Sequence, residues 1–296
     1  MEALKFRKVA LLVSLCIWTF TAFPQVKEDS IFHNDYLLIL NTYTSDAAWS
    51  NAIITPVLQW VTTEGKAEMY VENMNMLMID DSLKLAELKT NIFAKYGKKK
   101  PKAVLLLGNS MMLFRNEMSE AWGDVPLILC GEESYMGPDD CYIKKYPVAP
   151  SEQVPLTNFT KEYNITLLQT RVFIEENVSL MQRMIPGMKK IILIGDGRYV
   201  NQQLDTDMRQ LLRKKFPNLE YDFSSAAKMT TDSLMMKLNK VDSATTGVLL
   251  SSWFTRQVVA GNVQLQANSF QVISNSVIPI FALKNALVEN SGMIGG

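Results

Sequence analysis

Residues 188–223 constrain the fold more than any other stretch of the chain. Ile191-Ile192-Leu193-Ile194 is an apolar run without polar alternation, the pattern of a strand buried on both faces. Gly195-Asp196-Gly197 is a turn signal that stops it. From Arg198 to Phe216 the apolar residues Leu204, Met208, Leu211, Leu212 and Phe216 recur at helical spacing, and Pro217-Asn218 ends the pattern. Leu219 to Phe223 then alternates as a second strand. This is one βαβ unit, and parallel strands joined by a helix gather their polar loops at the carboxyl ends of the sheet.

The same phrase recurs on both sides. Tyr36 to Leu40 reads as a strand, and Ser45 or Asp46 can cap a following helix whose apolar face holds Trp49, Ile53, Pro56, Val57 and Trp60. Pro56 is expected to kink that helix unless it is interrupted there. Glu68 to Val71 is a second strand. Ser82 to Tyr96 is an amphipathic helix through Leu83, Leu85, Leu88, Ile92 and Phe93, with Asp80-Asp81 at its positive end. Ala103 to Leu107 is a third strand, a helix runs from Met111 to Trp122, and Val125 to Leu129 is a fourth strand. Residues 134–168 lose the rhythm, with Pro138, Pro147, Pro150 and Pro155 marking irregular chain. A helix from Leu168 to Met184 restores it. After the opening unit come a helix (Asp232 to Leu238), a strand (Gly247 to Leu250), an unassigned segment around 262–274 and a strand (Pro279 to Ala282). The expected fold class is α/β, with two Rossmann-like lobes of parallel sheets and a cleft between them. The first lobe is expected at 30–165 and the second at 166–283. Residues 284–296 would return toward the first lobe or begin a continuation.

Composition narrows the function class. With 48% hydrophobic and 20% charged residues the chain is globular, neither disordered nor an integral membrane protein. Basic and acidic residues balance at 30 each, so no global field calls for nucleic acid. The run Lys98-Lys99-Lys100 reads as a solvated loop before a strand. Lys5, Arg7 and Lys8 precede the apolar stretch Val9 to Phe23, the layout of a secretory signal over residues 1–25. That stretch is shorter than the ~20 residues a bilayer span needs. Ala22 suits a cleavage site and bulky Phe20 does not, which leaves an uncleaved anchor open. Cys16 is a weak setting for a lipid anchor. Export is expected either way. In an oxidising compartment Cys130 and Cys141 would close a small loop; the alternative is a buried strand thiol and an unrelated loop thiol. Asn158, Asn164 and Asn177 open glycosylation-type triplets.

The chemistry-bearing residues sit after the strands. Thr42-Tyr43, Gly108-Asn109-Ser110, Gly131-Glu132-Glu133, Gly195 to Tyr199 and Ser251 to Phe254 are the five loops that two facing parallel sheets would bring to one cleft. Aromatic faces stack on a sugar ring or aromatic solute, while amide, carboxylate and guanidinium groups fix its hydroxyls or charges. The candidate ligand-binding residues are Tyr43, Trp49, Asn109, Ser110, Glu132, Asp196, Arg198, Tyr199, Trp253 and Phe254. Any one loop taken alone is explained by turn formers and caps; five together favour a cleft. Trp49 fits core or cleft equally, and Asp196 between glycines is an ordinary turn residue. Trp253 and Phe254, directly after a strand, are the strongest stacking candidates.

Catalytic and cofactor signatures are missing. His33, the single histidine, lies in a polar stretch before the first strand and reads as a surface residue. The first strand ends without a glycine-rich dinucleotide turn, and no phosphate loop follows any strand. Met74, Met76 and Met78 alternate in a way that suits strand packing better than a metal site. No cofactor and no metal are expected.

Several segments resemble a known family. Leu40-Asn41-Thr42-Tyr43 followed by Trp49, Thr160 to Ile165, Pro186 to Ile191, Leu249 to Trp253, Pro279-Ile280-Phe281 and Gly292 to Gly296 are similar, in order and spacing, to ABC-transporter substrate-binding-like proteins of periplasmic binding protein type I fold. The likeness extends to sensor domains at the amino end of membrane or hybrid histidine kinases. It implies a periplasmic location, membrane-anchored where the chain is part of a longer protein. It also implies a small solute, sugar-like or aromatic amino acid-like. The implied protein partners are a kinase module in cis or a permease in trans, and a second copy of the chain. It implies no enzyme within these residues. Thr44 stands where that family commonly has histidine, which leaves the solute's identity open. The chain stops at Gly295-Gly296 where a member of the family would continue, so it is expected to be the front of a longer protein. An exported α/β hydrolase or glycosidase using Glu132, Glu133 or Asp196 is the competing class.

Overall fold

The computed structural model describes residues 36–63, 67–259, 263–268, 270–288 and 292–295. The leader expected at residues 1–25, Cys16 within it, and His33 lie outside the described residues. The first sheet contains β1 (Tyr36–Asn41), β2 (Glu68–Asn73), β3 (Ala103–Leu107), β4 (Leu127–Gly131) and β7 (Ile165–Gln169), in the order β2-β1-β3-β4-β7. Two short strands, β5 (Tyr135–Met136) and β6 (Val154–Pro155), pair antiparallel beside it. The second sheet contains β8 (Lys190–Gly195), β9 (Glu220–Ser225), β10 (Thr246–Leu250), β13 (Ile280–Ala282) and β14 (Ile294–Gly295). Read from its β9 edge the order is β9-β8-β10-β13-β14, the same winding as the first. Every pairing in both sheets is parallel. The closing β14 pairs with β13, so the chain's last described residues lie in the second sheet.

Parallel strands need crossovers, and helices supply them. The first lobe uses α1 (Ala48–Thr63), α2 (Ser82–Tyr96), α3 (Arg115–Trp122) and the short α4 (Asp139–Lys144). The second uses α5 (Ile174–Met184), α6 (Tyr199–Lys215) and α7 (Thr231–Leu238). The Asp81 side chain accepts from the Lys84 N–H at 2.8 Å and caps α2. β1 is buried along its whole length, as an apolar run covered on both faces requires. Leu38, Ile39 and Leu40 are fully inaccessible, each worth about 1.5–3 kcal/mol of burial.

The structure departs from the sequence expectation at several elements. The helix expected from Leu168 is preceded by β7, and α5 begins only at Ile174. The β-rich stretch Ile165-Thr166-Leu167-Leu168 is claimed by the open edge of β4, so tertiary pairing overrides the helical pattern. The helix expected from Met111 starts as a 3-10 turn, Asn109–Phe114, whose residues are all buried. α1 runs through Pro56 without interruption, and it leaves Trp60 and Leu58 on the surface rather than on the core face. Leu83 of α2 is likewise exposed. Met74 and Met76 follow β2 in a turn, where Asn75 has φ 48°, and their side chains enter the first core instead of forming a strand. The segment around 262–274 is half of an antiparallel hairpin, β11 (Phe254–Val259) with β12 (Val263–Asn268), followed by a short helix, Phe270–Ser274. Cys130 in β4 and Cys141 in α4 are buried free thiols, so the expected disulfide is not formed and Cys141 belongs to a short helix rather than a loop. Asn158 and Asn164 are exposed. Asn177 is buried with its amide on the Phe173 carbonyl, which bars a glycan there.

Candidate functional site

In each sheet the winding reverses direction between the first and third strands of the lobe, and ligands of open α/β sheets bind outside the carboxyl ends of the strands at that point. Here the switch points lie between β1 and β3 and between β8 and β10. The polar residues that end those strands are tied together. Asn41 donates to Asn73 Oδ1 at 2.7 Å and accepts from Ser50 Oγ at 2.8 Å and from the Tyr43 N–H at 3.2 Å. That network fixes the loop that carries Tyr43 to the start of α1. The hydroxyls of Thr42 and Ser110 share a hydrogen bond at 2.8 Å. Asn109 Nδ2 donates to the carbonyls of Glu133 at 3.1 Å and Tyr135 at 3.0 Å, clamping the β4 loop. The clamp requires glycine at 131, where a Cβ would stand 2.0 Å from Asn109 Oδ1.

The second lobe contributes a buried ion pair. The Asp196 carboxylate accepts from the Arg198 N–H at 3.0 Å, closing its own turn. It also accepts from Arg198 Nε at 2.9 Å and Nη2 at 2.5 Å. Asn201 Nδ2 at 2.9 Å and Ser252 Oγ at 2.8 Å complete its shell. Burial alone would raise the Asp196 pKa, but the Arg198 charge and these hydrogen bonds outweigh it and hold the carboxyl below its usual range. Arg198 is held above its own ordinary value, against the burial cost, by the same carboxylate. Its guanidinium lies 4.4 Å from the Tyr43 ring centroid and 4.5 Å from that of Phe254. The cation is therefore packed between an aromatic ring of each lobe.

Two further contacts cross the cleft. Glu132, after β4, pairs with Lys284, after β13, and both side chains are largely buried. Burial pulls the Lys284 ammonium down, and Glu132 outweighs that to leave it raised. Tyr199, on the first turn of α6, packs into the first lobe's core with its ring 4.5 Å from that of Tyr142. The space left at the centre is about 40 Å³, room for no more than a few water molecules, bounded by Tyr43, Trp49, Asn109, Glu133, Tyr142 and Arg198 among others. Larger spaces of about 430 and 500 Å³ flank the crossover segment Thr170–Phe173, within the range of small-molecule pockets.

Seven of the expected residues, Tyr43, Trp49, Asn109, Ser110, Glu132, Arg198 and Tyr199, line the central space. Trp253 and Phe254 line an adjoining one with Tyr43, Trp49 and Arg198. Trp49 is half-buried, meets Tyr43 edge-on at 5.5 Å and faces the cleft. Asp196 lies behind Arg198 and lines none of these spaces. Trp253 is fully buried in the second core with its Nε1 donating to Thr231 Oγ1 at 3.0 Å. Its ring is a wall rather than a free stacking face. Phe254 packs against Tyr43, Ala47 and Leu77 of the first lobe. The sequence reading left out Glu133, Tyr142, Lys145 and Lys284 as site residues. Lys284 was within reach, since it follows a recognised strand under the same rule as the other loops. Tyr142 and Lys145 come from the irregular stretch, which carried no signal.

Neither a protein-family model nor a curated protein matches the chain. Solved structures do. The ABC domain from Streptococcus pneumonia in complex with L-Trp superposes with a TM-score of 0.50 at 12% identity, covering 86% of this chain and 76% of that one. A conserved domain protein from Vibrio cholerae O1 biovar El Tor gives a TM-score of 0.51 at 10% identity, covering 87% and 76%. The chain has a two-lobed, parallel-sheet α/β fold of the type I periplasmic binding protein kind. Among the described residues no helix is long and apolar enough to cross a membrane, and no cluster of His, Cys, Asp or Glu could hold a metal ion.

Proposed function

We propose that the chain is an exported solute-binding domain whose lobes close on a small molecule held at the two switch points. One observation carries this: four post-strand loops from two separately wound sheets line one central space and the fifth lines the space adjoining it, where Glu132 and Lys284, and Tyr43 and Arg198, join one lobe to the other. A solute touching both sides binds the shut form better than the open one and shifts that equilibrium. In this reading Tyr43 and Trp49 stack on the solute, Ser110, Asn109 and Glu132 shape its polar side, and Arg198 and Phe254 are repositioned as the lobes move. Sugar-like and aromatic solutes both fit these walls, and the L-Trp held by the Streptococcus structure is of the second kind. Binding is favoured over hydrolysis because two of the three candidate acids are committed, Glu132 to Lys284 and Asp196 to Arg198, Asn201 and Ser252, which leaves Glu133 without either of them as a partner in acid–base catalysis.

The test is a thermal-shift screen against sugars, amino acids, amines and nucleosides. A ligand specific for the folded state stabilises it by about 2.7 kcal/mol at 100 times its Kd. Small-angle scattering should show the lobes responding to the same compound. A screen in which no compound moves the melting point would overturn the proposal. Signalling to a membrane histidine kinase is the first use we propose for closure, and delivery to a permease is the alternative. The coding frame past Gly296 separates them: a membrane helix and kinase histidine box favour the first, a stop codon beside permease genes the second.

A further inference from the structure

The charges around the cleft do not balance, and the imbalance points to the solute's chemistry. Each basic group there already has an acid or carbonyl partner, although Arg198 Nη1 makes no hydrogen bond of its own. Arg198 is matched by Asp196 and Lys284 by Glu132. Arg171, at the crossover, pairs with Glu176 at 2.9 Å. The Lys145 ammonium donates to the carbonyls of Ile79 at 2.6 Å and Ile143 at 3.1 Å. Glu133 is different. Its carbonyl is pinned by Asn109, and its side chain lines both the central space and the larger one beside it. Among the described residues no lysine or arginine stands within ion-pair distance of that carboxyl. The charges that act on it are Glu132, the Lys284 ammonium that Glu132 already holds, and Asp207 of α6, whose carboxylate accepts from Gln203 at 3.0 Å. Burial, with Glu132 adding to it, pushes the Glu133 carboxyl up to about 8 and outweighs the pull of Lys284, the response of an acid with no cation of its own. The surrounding walls are the rings of Tyr43, Trp49, Tyr142 and Tyr199, and aromatic faces attract cations.

We infer that the solute carries a protonated amine without a carboxylate, and that Glu133 is the residue that receives the amine. This rests on the solute-binding reading. An acid or an amino acid would bring a carboxylate to cations already matched by carboxylates or held by carbonyls, whereas an amine supplies the one charge that Glu133 lacks.

The experiment is isothermal calorimetry on the whole chain with two matched sets. One set is glucosamine, glucose and glucuronate; the other is tryptamine, 3-methylindole, indole-3-acetate and L-Trp. The result expected is that within at least one set the amine binds at least tenfold more tightly than its neutral, acidic and zwitterionic counterparts. Glu133→Gln should abolish that preference while circular dichroism and the melting point show a folded protein. Equal or tighter binding of a neutral, acidic or zwitterionic member overturns the inference and leaves solute binding standing. So does an amine preference that survives in Glu133→Gln. Failure of every member of both sets to bind counts against the solute-binding reading itself.

Discussion

Replacing Lys284 by Met tests whether the cross-cleft ion pair holds the lobes together. Glu132 and Lys284 side chains retain only 9% and 12% of their exposure. Without the ammonium, Glu132 keeps a buried charge beside Glu133, and the nearby cation Arg198 is already held by Asp196. Removing one partner of a buried pair costs about 3–5 kcal/mol because the other is left uncompensated. The protein can escape part of that cost by opening the lobes and letting water reach Glu132, and opening costs a few kcal/mol. We therefore expect Lys284→Met to lower the unfolding free energy by about 2–4 kcal/mol and to shift the population toward an open form. The double variant Glu132→Gln/Lys284→Met carries no stranded charge and should recover most of the loss. Urea titrations of the three proteins measure the first effect, and the radius of gyration from small-angle scattering measures the second. A single variant within ~0.5 kcal/mol of the parent, the range of ordinary surface changes, or a double variant no better than the single, would refute the idea that this pair bears on closure.

Other expectations follow from the same residues. The folded protein keeps a proton on Glu133 that the unfolded chain, with an ordinary value of 4.5, has released, so its stability should fall as pH rises from 4.5 to about 8. At about 1.4 kcal/mol per pKa unit, discounted for partial exposure, Glu133→Gln should gain roughly 2–3 kcal/mol over the parent above pH 8 and nothing below pH 4.5. Chemical denaturation across that range decides it, and parallel curves for the two proteins count against the burial argument. Asp196→Asn strands the Arg198 guanidinium between two rings and should cost about 3–5 kcal/mol in urea unfolding; a loss below ~1 kcal/mol would mean the pair is far more solvated than its geometry. Gly131→Ala pushes a methyl group onto Asn109 and should cost about 1–3 kcal/mol, partly recovered by adding Asn109→Ala, as melting curves would show. Trp253→Phe removes the hydrogen bond to Thr231 and should cost about 1 kcal/mol without altering solute binding; a loss of binding would return Trp253 to the stacking surface.

The parallel lobes were legible in the sequence because each central strand is a continuous apolar run followed at once by turn formers. Leu37 to Leu40 and Ile191 to Ile194 are of this kind, and both lie fully buried. The ends of the sheets were harder to see. Ile165 to Gln169 faces solvent along much of its length, so an edge strand lacks the unbroken apolar signature and its first turn merges with the next helix. The hairpin from Phe254 did carry a signal, Gly261-Asn262 ahead of the alternating Val263-Gln264-Leu265-Gln266, but Phe254 to Val259 lacks that alternation and so does not read as its partner. At the site, the loops announced which residues would converge but not which would be consumed by one another. Nothing in Gly195-Asp196-Gly197-Arg198 says that the carboxylate serves the arginine two residues on. Nor does Ser252-Trp253-Phe254 say which ring turns inward, because that depends on the Thr231 hydroxyl more than 20 residues away. Glu133 was named only within its loop and as a possible hydrolase acid, because two adjacent acids do not say which of them Lys284 will take.

The seat of Tyr199 has a consequence for how the molecule comes apart. Its backbone belongs to one half, yet its ring is counted among the apolar side chains of the other, and Gln203, one helical turn on, accepts from the Val148 N–H at 2.9 Å. Severed at the crossover, the amino half would keep an unfilled socket around Tyr142 and the carboxyl half a naked aromatic knob. Neither piece should be a well-behaved fragment, and denaturation of the intact polypeptide should run as a single cooperative event.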